Sequence, residues 1–233
     1  MTPGSPPIRL VIPGDAPIDV FCDQFLISLR SDWMGFVSGS LIAAPALKVL
    51  TARSASALAP ADFTLLFRPE PHLSLRDYSL AKTKSYLIVG ILDNVKSKLE
   101  TWKYSAGMWK RSAGPTLIGG SGAPISSMSC WPVDPLVSDQ VWIKQESFVQ
   151  PKSLFLAVAS NAESPKLVKQ ESHMYDSHNV QMSQHFATSL DGTKVPYFVV
   201  AKRGEPGPRP TLMYGYGGFK IARLSEYDAI IGA

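Results

Sequence analysis

The chain has 233 residues, 45% hydrophobic and 18% charged, enough for one large or two modest domains. Its formal charge of +4 comes from scattered Lys and Arg without a dense basic run, which argues against a nucleic-acid partner; no apolar stretch reaches the ~18 residues of a membrane-crossing helix. Nineteen prolines and seventeen glycines favour short strands and turns over helices.

Read in chain order, Ile8 to Ile12 is a short apolar strand, and Val20 to Leu29 a second. Trp33-Met34-Gly35 breaks the chain, and Gly39 to Pro45 returns it as the other arm of a hairpin. Ala46 to Ala57, rich in Ala, Leu and Ser, fits either a short helix or a loop. Phe63 to Phe67 is a compact strand, and Ser85 to Leu92 a strongly apolar one. The latter turns at Asp93-Asn94-Val95-Lys96 into an alternating strand, Ser97 to Tyr104, followed by the edge-like Met108 to Arg111. Val141 to Lys144 and Ser153 to Val158 form a further pair. Turn signals every 8–12 residues suggest a sandwich, barrel or propeller, and comparable strand pairs recur at roughly 40–50 residues, the period of propeller blades.

Residues 160–183, with His173 and His178, read as a polar linker. A hairpin follows: Gln184 to Thr188, an Asp191-Gly192 apex, then Lys194 to Ala201. Pro208 to Leu212 reads as a strand that enters the glycine turn Met213-Tyr214-Gly215-Tyr216-Gly217-Gly218-Phe219. Three glycines in five positions permit positive φ and clear the backbone for a ligand. A strand ending in such a loop is where α/β-hydrolases build part of an oxyanion hole.

These last segments resemble the prolyl oligopeptidase family. The carriers are Ser189-Leu190-Asp191-Gly192-Thr193-Lys194-Val195-Pro196 and, about a dozen residues later, Pro210-Thr211-Leu212-Met213-Tyr214-Gly215-Tyr216-Gly217-Gly218-Phe219. The upstream part is more loosely similar to the second half of that family's propeller, at Leu92 to Lys96 and Phe148 to Leu154. The resemblance implies a mainly β chain: a partial β-propeller of roughly three to four blades over residues 1–178, then the first strands of a truncated α/β-hydrolase domain over 179–233. It implies a serine endopeptidase acting on short peptides, often after proline. By the same resemblance, the Tyr216 hydroxyl serves the oxyanion hole and Phe219 lines the pocket for the residue before the scissile bond.

The chain contains no G-x-S-x-G nucleophile elbow. Gly119-Gly120-Ser121-Gly122-Ala123 comes near it but reads as a flexible turn. His72, His173, His178 and His185 lack a recognisable serine and carboxylate pairing, so no triad is expected. No cofactor or metal is expected, because Walker, dinucleotide and H-E-x-x-H patterns are absent. Cys22 and Cys130 read as buried free thiols. The first residues lack a basic segment followed by an apolar core, so a cytoplasmic protein without a signal peptide or membrane partner is expected. The chain is therefore read as a fragment of such a peptidase (a truncated frame, a split-gene product or a partial sequence), inactive alone and completed, if at all, by a downstream chain. The alternative is a non-catalytic β-propeller-type interaction module.

Overall fold

The run Tyr86–Asp93 is apolar on consecutive positions, which a half-exposed strand would not need. In the computed structural model it is buried on both faces: Leu87, Val89 and Ile91 enter one core and Ile88 enters another. The structure describes residues 7–115, 126–161, 165–204, 207–216, 218 and 221–232.

Three antiparallel four-stranded meanders account for most of the described residues. The first sheet contains β1 (Ile18–Phe21), β2 (Gln24–Ser28), β3 (Leu41–Pro45) and β4 (Thr64–Phe67). The second contains β5 (Leu73–Lys82), β6 (Tyr86–Asp93), β7 (Lys96–Ser105) and β8 (Met108–Ser112). The third contains β9 (Ser127–Pro132), β10 (Gln140–Glu146), β11 (Ser153–Val158) and β12 (Lys166–Gln170). In each, sequence order is spatial order, the pattern of a propeller blade. The fold is mainly β, a partial propeller with three such sheets among the described residues, at the low end of the expected number.

The sheets stack through period-2 side chains. Leu26, Leu41, Ala43 and Leu66 of the first sheet meet Leu87, Val89 and Ile91 of the second. Ala81 and Ile88 on the second sheet's other face meet Val141, Ile143, Phe155 and Ala157 of the third. Each such aliphatic side chain removed from water stabilises the stack by about 1.5–3 kcal/mol. Polar contacts fix the second seam: Asp139 Oδ1 accepts from Thr83 Oγ1 and from the Ser85 amide, both at 2.7 Å. The far face of the first sheet, with Ile27, Ile42 and Ala44, is covered by Val49 of α1 (Ala46–Thr51), by Leu58 and by Phe63. The segment left open between helix and loop thus contains a short helix, followed by a 3-10 turn at Ala55–Ala57.

Several sequence expectations are corrected. Residues 8–12 form no strand; Leu10, Val11 and Ile12 lie against the first sheet's far face. The strand expected over 20–29 is two strands, because Cys22 and Asp23 take φ of 47° and 58° and close a two-residue hairpin without glycine. β5 and β9 were not read from the sequence. In β5 the register jumps between Leu75 and Leu80, which breaks the alternation. Nor is 160–183 simply a linker: β12 pairs with β11, and the next strand starts at Val180. Cys22 is exposed rather than buried, while Cys130 is partly covered and both thiols are free.

Beyond the third sheet, β13 (Val180–Thr188) and β14 (Lys194–Lys202) form a separate two-stranded ladder with the expected Asp-Gly apex, where Gly192 has φ 86°. Residues 208–212, expected as a strand, join no ladder; Leu212 and Met213 are exposed. Among the described residues no helix is long and apolar enough to cross a membrane.

Candidate functional site

Tyr214 and Tyr216 lie on an irregular, ladder-free stretch, and both rings converge on one side chain, Arg223. The guanidinium lies 4.9 Å from the Tyr214 ring centre and 5.1 Å from that of Tyr216, and its Nη2 donates to the Tyr214 hydroxyl. Cation–π attraction over two rings holds this group in place despite its exposure. Tyr216 is 45% exposed, and its hydroxyl makes no hydrogen bond to another described residue. Phe219, the other residue singled out on this loop, lies outside the described residues, as does the Gly119 to Ala123 turn.

The segment after Arg223 is tied to the third sheet. The Ser225 hydroxyl, buried, accepts from the Phe148 amide at 3.0 Å, and Glu146 Oε2 accepts from the Tyr227 amide at 3.1 Å. Glu146 is itself buried and pairs with Lys144 at 3.0 Å. Arg76, on the irregular part of β5, donates to the Met128 carbonyl. Burial pulls its guanidinium below its ordinary pKa, while the charges of Glu226 and Glu146 oppose the shift. The Tyr227 ring stacks on Tyr175 at 5.0 Å and 6°, and the Tyr227 hydroxyl accepts from the Met174 amide at 2.7 Å. Tyr175 donates to the Phe148 carbonyl; burial, helped by Tyr227 and Asp228, pushes its phenol pKa up. The β13–β14 hairpin leans on the same surface through Phe198 against Phe148, and on the second sheet through Gln184 Nε2 to the Asn94 carbonyl at 2.6 Å.

The four histidines do not assemble a triad among the described residues. His185 Nε2 lies 2.8 Å from the Ser183 hydroxyl, since i and i+2 share one face of a strand; the sequence reading missed the pairing because it began the strand at Gln184 and left Ser183 in the linker. No carboxylate joins it among the described residues. His178 Nδ1 has a carboxylate, Asp176 at 2.8 Å, but no serine. His72 is 3.8 Å from Glu70, and His173 packs edge-on to Tyr227 at 6.5 Å. Among the described residues no three His, Cys, Asp or Glu side chains come together as a metal site. Arg223, Glu146, Ser225 and Tyr227 were not legible as site residues, since no motif marks them.

No family model matches the chain. A Sinorhizobium fredii protein named uncharacterized peptidase y4nA is 33% identical over 216 residues, which is 90% of this chain and 28% of the relative. The uncharacterized peptidase RP174 of Rickettsia prowazekii is 28% identical over 229 residues, 95% of this chain and 30% of the relative. The solved structure of a post-proline cleaving enzyme from Rickettsia typhi superposes with a TM-score of 0.75 at 26% identity, covering 95% of this chain and 31% of that one. The chain thus spans under a third of the length of the relatives it matches. With the tyrosine–glycine loop and the three stacked meanders, these similarities establish that the chain belongs to the prolyl oligopeptidase family of peptidases.

Proposed function

We propose that this chain is part of a serine endopeptidase that hydrolyses short peptides, with the Tyr216 hydroxyl donating to the oxyanion of the tetrahedral intermediate. The observation that carries the reading is Tyr216 itself, 45% exposed and with no hydroxyl partner among the described residues, ahead of a segment held by Ser225 and Tyr227. A preorganised donor aimed at developing charge contributes about 3–4 kcal/mol to the transition state. Phe219 is assigned to the pocket for the residue before the scissile bond. Residues 1–178 form the propeller part, and 179–233 enter the α/β-hydrolase domain. This division is supported by β13–β14, which leaves Val199 and Val200 exposed on opposite faces, as expected of strands that belong to a larger sheet. A cytoplasmic setting is part of the reading, supported by two unpaired thiols.

Alone, the chain is proposed to be catalytically silent, because it carries no G-x-S-x-G elbow. The test is an assay of the purified chain on a Gly-Pro-amide reporter. No hydrolysis is expected, and turnover would refute the proposal. Extending the reading frame past codon 233 through a G-x-S-x-G segment and the Asp and His that complete its triad, on the same or a complementing chain, should restore hydrolysis. In that assembly Tyr216→Phe should lower kcat by roughly 10²–10³. An unchanged rate would remove Tyr216 from the mechanism. A second reading, a binding scaffold without catalysis, is favoured by the well-filled cores between the three sheets.

A further inference from the structure

Arg223 is exposed and has no carboxylate partner among the described residues. The acids that follow it in the chain act elsewhere: Asp228 Oδ1 accepts from the Ile230 and Ile231 amides at 2.8 and 3.1 Å, and Glu226 lends its charge to Arg76. A guanidinium has five N–H donors, and the bond to Tyr214 uses one. Contact with two rings limits the rotamers that would otherwise freeze when a ligand docks. Against it lies the Tyr216 ring, whose hydroxyl has no partner among the described residues and is a further donor. A fixed planar fork of donors next to a phenol fits a planar two-oxygen anion, and in a peptide that anion is a carboxylate.

We infer that Arg223 is a specificity-determining residue that recognises a carboxylate of the peptide substrate, either the C-terminal group or an Asp or Glu side chain. The link to substrate rests on the reading of Tyr216 as the oxyanion donor. Since Arg223 lies 5.1 Å from that ring, the carboxylate falls within about two residues of the scissile bond at ~3.3 Å per residue.

The test uses the 233-residue chain labelled with ¹⁵N-arginine and three capped tripeptides: Ac-Ala-Pro-Ala with a free C-terminal carboxylate, Ac-Asp-Pro-Ala-amide and Ac-Ala-Pro-Ala-amide. R223M identifies the Arg223 Nε–H signal. At least one acidic peptide is expected to shift that signal with a Kd about tenfold or more below that of the neutral amide. Which acidic peptide prevails tells whether the terminus or the side chain is read. In calorimetric titrations with the same peptides, R223M should abolish the preference, whereas R223K, which keeps the charge but loses the fork, should retain a weaker one. Circular dichroism confirms that each variant is folded. Three peptides that behave alike, binding or not, overturn the inference, as does a preference that survives in R223M. Either failure leaves the role of Tyr216 standing, because that role is judged by hydrolysis in the extended enzyme.

Discussion

The backbone N–H of Tyr227 donates to Oε2 of Glu146 at 3.1 Å, across 81 positions of sequence. This bond fastens the stretch that follows the tyrosine–glycine loop to the end of β10, so the third sheet determines where that stretch lies. Glu146 is 2% exposed, and its other partner, Lys144, is 38% exposed.

Glu146→Ala should therefore destabilise the chain by about 2–3 kcal/mol, less than a fully buried pair because the lysine is still partly hydrated. It should also speed hydrogen exchange at the Tyr227 amide. Urea unfolding and exchange measured by NMR check both. A loss under about 0.5 kcal/mol with unchanged exchange would mean that the clamp contributes nothing.

Val95 occupies the second position of the β6–β7 turn with φ 61°, after Asn94 at 47°. A β-branched residue is strained in this left-handed region, where glycine is not. Val95→Gly should stabilise the chain by about 1 kcal/mol, read as a higher urea midpoint at an unchanged slope.

At the hairpin apex the opposite change is harmful. Gly192 has φ 86°, and Gly192→Ala should cost about 1 kcal/mol even though a Cβ there would meet open space. Thermal unfolding followed at β13–β14, for instance by exchange at Ser189 and Thr193, would show it. Wild-type behaviour would mean that the turn relaxes freely.

Burial pushes the Cys130 thiol from its ordinary 9.0 up to about 12. The unfolded chain releases this proton first, so the contribution is intact below pH 9 and lost as pH rises toward 12, with a slope of up to about 1.4 kcal/mol per pH unit. Cys130→Ala should flatten that slope. At pH 8 iodoacetamide should modify the exposed Cys22 before Cys130, although Cys22 too is raised, by its partial burial and by Asp23. Mass spectrometry of the alkylated chain distinguishes them; equal rates would contradict the burial of Cys130.

Local chemistry made part of this protein legible in advance. The run Tyr86–Asp93, the alternation of Lys96–Ser105 and the Asp191-Gly192 apex each specify their element through side-chain period or backbone freedom, and the Tyr214 to Phe219 motif pointed to the family. Pairing that depends on a distant partner was hidden. β12 has five exposed residues and forms a strand because β11 offers it an edge, and β9 and the irregular β5 are held by the sheets they join. The Cys22-Asp23 turn escaped notice because neither residue advertises positive φ. The site divides in the same way. The sequence, through its resemblance to the family, pointed to Tyr216 as a donor on a glycine turn. Only the tertiary structure set Arg223 over two tyrosine rings and tied Tyr227 to a buried Glu146, because cation–π contacts and buried charge pairing depend on distances in space that no spacing along the chain encodes.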